Sequence, residues 1–293
     1  MTPREATRSR TIGRMLTDTE KRQFREQGYL VKPVLAADEV AQRIAQVEAA
    51  VRERDAGARM FNLQFLQPGK DVRAIQNLIC DARITGVVGE LLGGGDIVID
   101  GASLFYGDAG VDYRQGWRRD LMQIPDDEID PAWFSETHFH NYVQVNLPLC
   151  DDGCLWIVPG SHRRAFDADE RAIFGDDVRI APVDAPLAAG RPIVAPPGHA
   201  VFYNNYAIHR GYGGVLAHKR VTLHFGFHST LHAPTPHFAV LDRHEYTPAY
   251  LATLDTDVRA ALEKHLAERA KHPQMDVYHA HHQAFIRKEF TTR

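Results

Sequence analysis

Three side chains occur along the chain in the order carboxylate, imidazole, guanidinium: Asp120, His209 and Arg220. In non-haem Fe(II) oxygenases, two histidines and one carboxylate bind one face of the metal and leave three positions for a bidentate 2-oxo acid and dioxygen. A planar guanidinium pairs well with the far carboxylate of such an acid. Taken singly, each residue also has an ordinary explanation: Asp120 as a turn cap, His209 as a hydrogen-bonded strand-end residue and Arg220 as a surface charge.

A second group of candidates lies in the stretch THFHNYVQVNLPL. Its two histidines, His138 and His140, stand two apart on an expected strand and therefore point to the same face. Because the chain contains sixteen histidines, such a pair indicates a site only together with other ligands. One hypothesis that this pattern leaves open is a cupin-like binding or isomerase domain that holds another metal through His138, His140 and His209.

These candidates lie in a β-rich part of the sequence. Short β-type runs separated by Gly, Pro and Asp turns follow one another from about residue 96 to about 230, a pattern typical of a sandwich or barrel. Thr17, with Glu20 three residues later, predicts a capped helix at the start of the chain, and helical spacing predicts further helices from Asp38 and over 74 to 92. Helical spacing returns at about 240 to 293.

We expect one domain over residues 16 to 293, preceded by a flexible N-terminal arm at 1 to 15. At 293 residues with 44% hydrophobic and 25% charged residues, the chain has the composition of a soluble globular protein, and its net charge of -4 gives no basis for a nucleic-acid partner. No apolar run is long enough for a signal peptide or a membrane span. Three cysteines, an odd number, suit a reducing cytoplasm.

Several motifs occur together in one order. The segment LTDTEKRQFREQGYLVKPVLAADEV precedes a Pro-Gly-Ser-His turn in CLWIVPGSHRR and a late strand, AVFYNNYAIHRG, that carries His209. Arg220 follows that histidine by eleven residues. This combination, over roughly Leu16 to His228, resembles the phytanoyl-CoA dioxygenase family, a branch of the Fe(II)/2-oxoglutarate oxygenases. The resemblance implies a mainly β fold with flanking helices around a double-stranded β-helix (jelly-roll, cupin-like) core.

The resemblance also implies roles for individual residues. Asp120 takes the position of the carboxylate ligand, His209 that of the distal histidine and Arg220 that of the 2-oxoglutarate clamp. Gln144 and Asn146, which alternate onto one face of their strand, are implied as polar contacts of the co-substrate. The implied cofactors are Fe(II) and 2-oxoglutarate, with molecular oxygen and a small-molecule substrate as the other reactants.

The chain departs from the family at one ligand. The family has His-x-Asp after a tryptophan, whereas Trp117 is followed here by Arg118 and then, two residues later, by Asp120. An arginine cannot coordinate a metal, because its guanidinium stays protonated and has donors but no lone pair. A buried Arg118 beside Asp120 is expected to form a salt bridge in the place of the metal, so we include Arg118 among the catalytic-site residues.

Three explanations of this substitution are open at the level of sequence. Another imidazole, His138 or His140, supplies the missing ligand. Alternatively the site is metal-free, and the fold serves a redox-neutral reaction, a regulatory role or a partner subunit of an intact paralogue. In the third explanation Arg118 points away, and iron binds weakly through Asp120, His209 and water.

The leading hypothesis is a non-haem Fe(II)/2-oxoglutarate-dependent dioxygenase that oxidises a small organic molecule, with hydroxylation as the expected outcome. The rival hypothesis is a metal-free or iron-poor member of the family: a pseudoenzyme, a partner subunit or a redox-neutral enzyme. The expected assembly is a homodimer, or a heterodimer with an intact paralogue.

Overall fold

The computed structural model describes residues 15 to 52, 61 to 69, 72 to 124, 141 to 175 and 179 to 291. The strands in these ranges are β1 (Tyr29–Pro33), β2 (Phe61–Leu63), β3 (Ile97–Gly107), β4 (Asp112–Arg114), β5 (Val143–Pro148), β6 (Leu155–Ile157), β7 (Arg191–Pro192), β8 (His199–Tyr203), β9 (His209–Val215) and β10 (Arg220–Ser229). The helices are α1 (Asp18–Gln27), α2 (Ala37–Arg52), α3 (Arg73–Gln76), α4 (Ala82–Leu91), α5 (Ala168–Phe174), α6 (Pro248–Leu251), α7 (Thr256–Arg269) and α8 (Gln274–Thr291).

The strands form two antiparallel sheets. The larger sheet has the order β1-β8-β5-β10-β3-β2, and the smaller has the order β4-β9-β6-β7. An apolar cluster joins them, since Leu155 and Ile157 of β6 pack with Val201 and Tyr203 of β8. The sequence-based expectation of a mainly β, jelly-roll core with flanking helices is confirmed.

Side-chain alternation gives the larger sheet two different faces. On β5, Val143, Val145 and Leu147 belong to the main hydrophobic core, whereas Gln144 and Asn146 point to the opposite side. All of these residues are buried, because helices cover one face of the sheet and the smaller sheet lies over part of the other. The polar residues of the central strands therefore lie between the two sheets.

The helices cover the apolar face of the larger sheet. Helix α1 begins at the expected capping box, in which Glu20 N–H donates to Thr17 Oγ1 at 3.2 Å and Thr17 N–H donates to Glu20 Oε2 at 2.7 Å. It ends at Gly28, whose φ of 82° is a left-handed conformation that glycine adopts without strain. From the other end of the chain, Leu262 of α7 belongs to the same hydrophobic core.

Several elements differ from their predicted extents. The helix predicted over 74 to 92 is divided into α3, a 3-10 turn and α4, because Asp81 has an extended backbone and its side chain accepts from Arg83 N–H at 2.8 Å, which caps α4. The β core also extends beyond the expected 96 to 230, because β1 and β2 form the edges of the larger sheet. Of the predicted arm, residues 1 to 14 lie outside the described ranges. No described helix is both long and apolar enough to span a membrane.

Candidate active site

A cavity lies between the two sheets, with an empty volume of about 260 Å³ including the part that is open to solvent. Strands of both sheets contribute to its walls. Its lining residues are Phe105, Tyr113, Gln115, Arg118, Asn146, Leu155, Tyr203, His209, Gly211, Arg220 and His224. Four of the residues proposed from the sequence, Arg118, Asn146, His209 and Arg220, therefore meet at one place although they are up to 102 positions apart in the chain.

Backbone pairing joins residues 117 to 120, the WRRD segment, to the start of β9. Arg118 N–H donates to the carbonyl of His209 at 2.8 Å, and His209 N–H donates to the carbonyl of Arg118 at 2.9 Å. Two residues later, Asp120 N–H donates to the carbonyl of Asn205 at 3.3 Å. These bonds hold the segment against the start of β9, and they do not depend on which side chain stands at position 118.

The carboxylate of Asp120 is shared by two neighbours. Its Oδ1 atom lies 3.5 Å from Nε2 of His209 and 3.2 Å from Nε of Arg118. The Nη1 atom of Arg118 donates to Oε1 of Gln115 at 3.0 Å. The guanidinium therefore lies beside the atoms that would face a metal ion.

Burial and charge fix the protonation states of this group. Burial alone would raise the pKa of Asp120, but nearby His209 and the Arg118 guanidinium lower it to about 2. Burial lowers the pKa of His209 to about 4. At neutral pH the imidazole is therefore uncharged, and Arg118 is the cation that faces the carboxylate.

A hydrogen bond to the backbone fixes the tautomer of His209. Its Nδ1 atom lies 2.8 Å from the carbonyl oxygen of Ala207, which can only accept, so Nδ1 carries the proton and Nε2 has the free lone pair. Nε2 is buried and has no hydrogen-bond partner among the described residues. A backbone carbonyl on the second ring nitrogen is the usual support of a metal-binding histidine.

Of the ligands that the sequence resemblance implies, Asp120 and His209 lie together as carboxylate and imidazole, with the Arg118 guanidinium beside them. Among the described residues, no group of three His, Cys, Asp or Glu side chains is arranged to hold a metal ion. The replacement ligands predicted from the sequence, His138 and His140, lie outside the described ranges.

Arg220 is fixed by a buried ion pair at the other side of the cavity. Its Nε donates to Oδ2 of Asp152 at 2.9 Å, and both side chains are buried. Asp152 also accepts from the Thr222 hydroxyl and, at 2.7 Å, from Cys154 N–H. Although burial would raise the pKa of the Asp152 carboxyl, these partners, Arg220 first, hold it below its usual value. The guanidinium is thus buried and paired through Nε with a charged carboxylate.

Aromatic rings fix the plane of the same guanidinium. Its Cζ lies 4.5 Å from the ring centre of Tyr113 and 5.0 Å from that of Phe105. Its Nη1 is buried without a hydrogen-bond partner among the described residues. An arginine that is held by its Nε edge and has an unsatisfied Nη atom in a cavity wall is suited to binding an anion.

The two polar residues predicted on β5 have different surroundings. Asn146 lines the cavity, and its Oδ1 is buried without a partner among the described residues. Gln144 contacts the ring of His224, with Nε2 lying 3.1 Å from Nδ1, and the Tyr203 hydroxyl lies 3.3 Å from Nε2 of the same ring. Burial lowers the pKa of His224 to about 3, so this imidazole is neutral.

Reasoning from the sequence missed two of these residues. His224 was detectable, because it lies four residues after Arg220 on β10 and a strand places every second side chain on one face. Asp152 gave no such signal, since its pairing with Arg220 across 68 positions depends on the packing of the strands.

The second arginine of the WRRD segment has a structural role. Arg119 is fully buried, donates to the carbonyl of Tyr206 at 2.8 Å and of Arg164 at 3.0 Å, and lies over the ring of Phe166 at 4.8 Å. These contacts attach the segment to the protein on the side away from the cavity. The two consecutive arginines therefore have different roles: Arg119 holds the backbone in place, and Arg118 lines the cavity.

Comparisons with known proteins agree with this architecture. A structure of HygX from Streptomyces hygroscopicus with nickel and 2-oxoglutarate bound matches 73% of this chain and 88% of its own, with a TM-score of 0.59 and 20% identity. EctD from S. alaskensis with 2-oxoglutarate and 5-hydroxyectoine matches 77% and 80%, with a TM-score of 0.54 and 18% identity.

The epimerase SnoN in complex with Fe3+, alpha ketoglutarate and nogalamycin RO matches 72% of this chain and 82% of its own, with a TM-score of 0.53 and 18% identity. At such identities the likeness shows a shared fold. No curated protein matches the sequence. The model of the family described as phytanoyl-CoA dioxygenase (PhyH) matches residues 24 to 214, about two thirds of the chain, from the last turn of α1 to β9 with His209. The chain therefore belongs to the phytanoyl-CoA dioxygenase family.

Proposed function

We propose that the protein is a 2-oxoglutarate-dependent oxygenase that oxidises a small organic molecule. The expected oxidation is a hydroxylation. The observation that carries this proposal is the state of Arg220, a buried and oriented guanidinium with an unsatisfied Nη1 in the wall of the cavity that His209 also lines. Family membership supports the reaction class. The solved relatives support the substrate class, because their structures contain small molecules such as hygromycin B, nogalamycin RO and 5-hydroxyectoine.

In this proposal three polar residues have different roles in binding 2-oxoglutarate. Arg220 pairs with the distal carboxylate of 2-oxoglutarate, since a guanidinium held by Asp152 keeps its Nη edge directed at one place. Asn146 lies beside it and offers its buried amide oxygen, which has no described partner, as a hydrogen-bond acceptor. Gln144 acts through the neutral ring of His224, whose position it fixes.

Asp120 and His209 are the two residues that would hold iron, with the third ligand coming from His138 or His140 or from water. Iron bound there would couple the oxidative decarboxylation of 2-oxoglutarate to succinate and CO2 with oxidation of the substrate by dioxygen. The chain's own contribution is to orient the donors. Ala207 keeps the lone pair of His209 on Nε2, and burial keeps that ring neutral and available.

The test is an anaerobic titration with Fe(II) and 2-oxoglutarate, in which the metal-to-ligand charge-transfer band of the bound pair is followed. The wild type is expected to show the band, and Arg118→His, which restores the missing imidazole, is expected to show it at lower iron concentration. A band that is absent in the wild type and present in Arg118→His would overturn the proposal and indicate a degenerate site.

A second candidate function is favoured by one specific contact. The guanidinium of Arg118 lies 3.2 Å from the carboxylate oxygen that a metal would need, so the ion pair competes with metal binding. In this reading the protein is metal-free and acts as a partner subunit of an intact paralogue or as a redox-neutral enzyme. Near-stoichiometric iron in the purified protein, or succinate production coupled to loss of a substrate, would remove this candidate.

A further inference from the structure

The charged side chains that line the cavity are positive. Two guanidiniums, those of Arg118 and Arg220, line it, and no carboxylate is found among its described lining residues. The cavity walls therefore offer two guanidinium groups, which suits a ligand with two negative ends.

Both guanidiniums are held in the same way. A carboxylate takes the Nε edge of each: Asp120 at 3.2 Å on Arg118, and Asp152 at 2.9 Å on Arg220. On Arg118 the Nη1 atom also donates to Gln115, and no described residue accepts from its Nη2. On Arg220 the Nη1 atom has no described partner. The Nη atoms are the edge of a guanidinium that pairs with a carboxylate through two parallel bonds.

We infer that Arg118 is a second anion-binding group, which pairs with the carboxylate that a metal would otherwise hold and so allows the cavity to bind a five-carbon dicarboxylate without metal. Arg220 binds the other end of the same molecule. The inference rests on the proposed function only for the class of ligand. It assigns to Arg118 a task that the family's histidine cannot perform, because a neutral imidazole does not neutralise an anion.

This arrangement has a chemical signature that differs from metal chelation. A metal binds 2-oxoglutarate through one carboxylate oxygen and the 2-keto oxygen together, so removing the keto group weakens that binding. A guanidinium needs only the carboxylate. Two arginines therefore predict that glutarate, which has the same length and no keto group, binds to the metal-free protein about as tightly as 2-oxoglutarate, and that butyrate, which lacks the second carboxylate, binds much more weakly.

Replacing Asp120 is expected to have opposite effects on binding with and without a metal ion. As a metal ligand, Asp120 is required, and Asp120→Asn weakens any binding that depends on iron. As the partner of Arg118, Asp120 holds the Nε edge and places a negative charge beside the same guanidinium, which opposes an incoming carboxylate. Asp120→Asn is therefore expected to strengthen dicarboxylate binding to the metal-free protein, a result that a structural role of Asp120 would not produce.

The experiment is isothermal titration calorimetry of the full chain in EDTA, with 2-oxoglutarate, glutarate and butyrate as the probes. Arg118→Gln is expected to weaken binding of both dicarboxylates by about tenfold to a hundredfold, the worth of a hydrogen bond to a charged group. Because this change leaves Asp120 without its cation, the double variant Arg118→Gln/Asp120→Asn is measured as well, and the same loss relative to Asp120→Asn is expected. Arg191→Gln is the matched control, since this exposed arginine of β7 lies outside the cavity.

Each alternative result has a definite meaning. Binding in EDTA that Arg118→Gln leaves unchanged overturns the inference, as does a strong preference for 2-oxoglutarate over glutarate in the metal-free protein. If 2-oxoglutarate binds only after Fe(II) is added under anaerobic conditions, the inference is wrong and the proposed oxygenase function stands. If no dicarboxylate binds with or without Fe(II), both are wrong.

Discussion

The buried pair of Asp152 and Arg220 can be tested by removing its negative partner. In Asp152→Ala the Arg220 guanidinium, 3% exposed, keeps its charge and loses the carboxylate that lies 2.9 Å from its Nε. Thr222 and the backbone N–H of Cys154 lose their acceptor in the same change. Breaking a buried ion pair by deleting one partner costs about 3–5 kcal/mol, so the free energy of unfolding should fall by that amount.

The assay is urea unfolding of the wild type, Asp152→Ala, Arg220→Met and the double variant. Once both charges are gone no buried charge is left unpaired, so the double variant should be more stable than the sum of the single changes predicts by about 2 kcal/mol or more. Asp112→Ala is the control, because its pair with Arg114 is solvent-exposed, and it should leave the free energy of unfolding almost unchanged. Single changes that add to within about 0.5 kcal/mol would refute the claim that the two charges depend on each other.

Three further outcomes are expected. A Cβ at Gly226 would clash with the Tyr142 hydroxyl, so Gly226→Ala should lower the free energy of unfolding by about 1–3 kcal/mol. Gly101 lies directly opposite in the sheet, and a Cβ there would be 3.8 Å from its nearest neighbouring atom, so Gly101→Ala should be tolerated. Equal effects of the two changes would contradict this explanation. Burial lowers the pKa of His265 from 6.5 to about 4, so its contribution to stability is complete above pH 6.5 and is lost as the pH falls towards 4, by about 1.4 kcal/mol per pH unit. Urea unfolding at several pH values should show that the free energy of unfolding falls less steeply with acid in His265→Gln than in the wild type. The same steepness in both proteins would contradict the assignment. His209→Gln should abolish iron retention measured by metal analysis of the purified protein, and undiminished iron would exclude His209 as a ligand.

Local chemistry made much of the fold predictable. Period-two alternation on β5 predicted that Gln144 and Asn146 share one face, and the structure puts Asn146 opposite His224 in register. Capping chemistry located the start of α1 at Thr17 because that signal requires only residues three positions apart. The same kind of signal was overlooked at Asp81, where a continuous helix was predicted and a cap divides it.

The parts of the site that escaped prediction depend on long-range packing. Asp152 lies in a turn between β5 and β6, with nothing in its neighbourhood to indicate a partner on β10. Arg119 and Arg118 are adjacent and chemically identical, and only the packing of Phe166 and Tyr206 against one of them decides which side chain enters the core. Spacing within one strand is a local property, whereas the partner of a buried charge is set by the whole sheet.

The contacts around Arg118 show which attachments of this segment are independent of the side chain at position 118. The segment is joined to His209 by two backbone hydrogen bonds and to the protein interior by Arg119, so neither attachment uses the side chain at 118. The carboxylate of Asp120 meanwhile needs a positive neighbour in a buried site, and the guanidinium supplies one where a divalent ion would otherwise do so. An uncharged residue at 118 would leave that carboxylate unpaired whenever metal was absent. On the proposed assignment of the site, an arginine at position 118 therefore keeps a positive charge beside Asp120 in the absence of a metal ion.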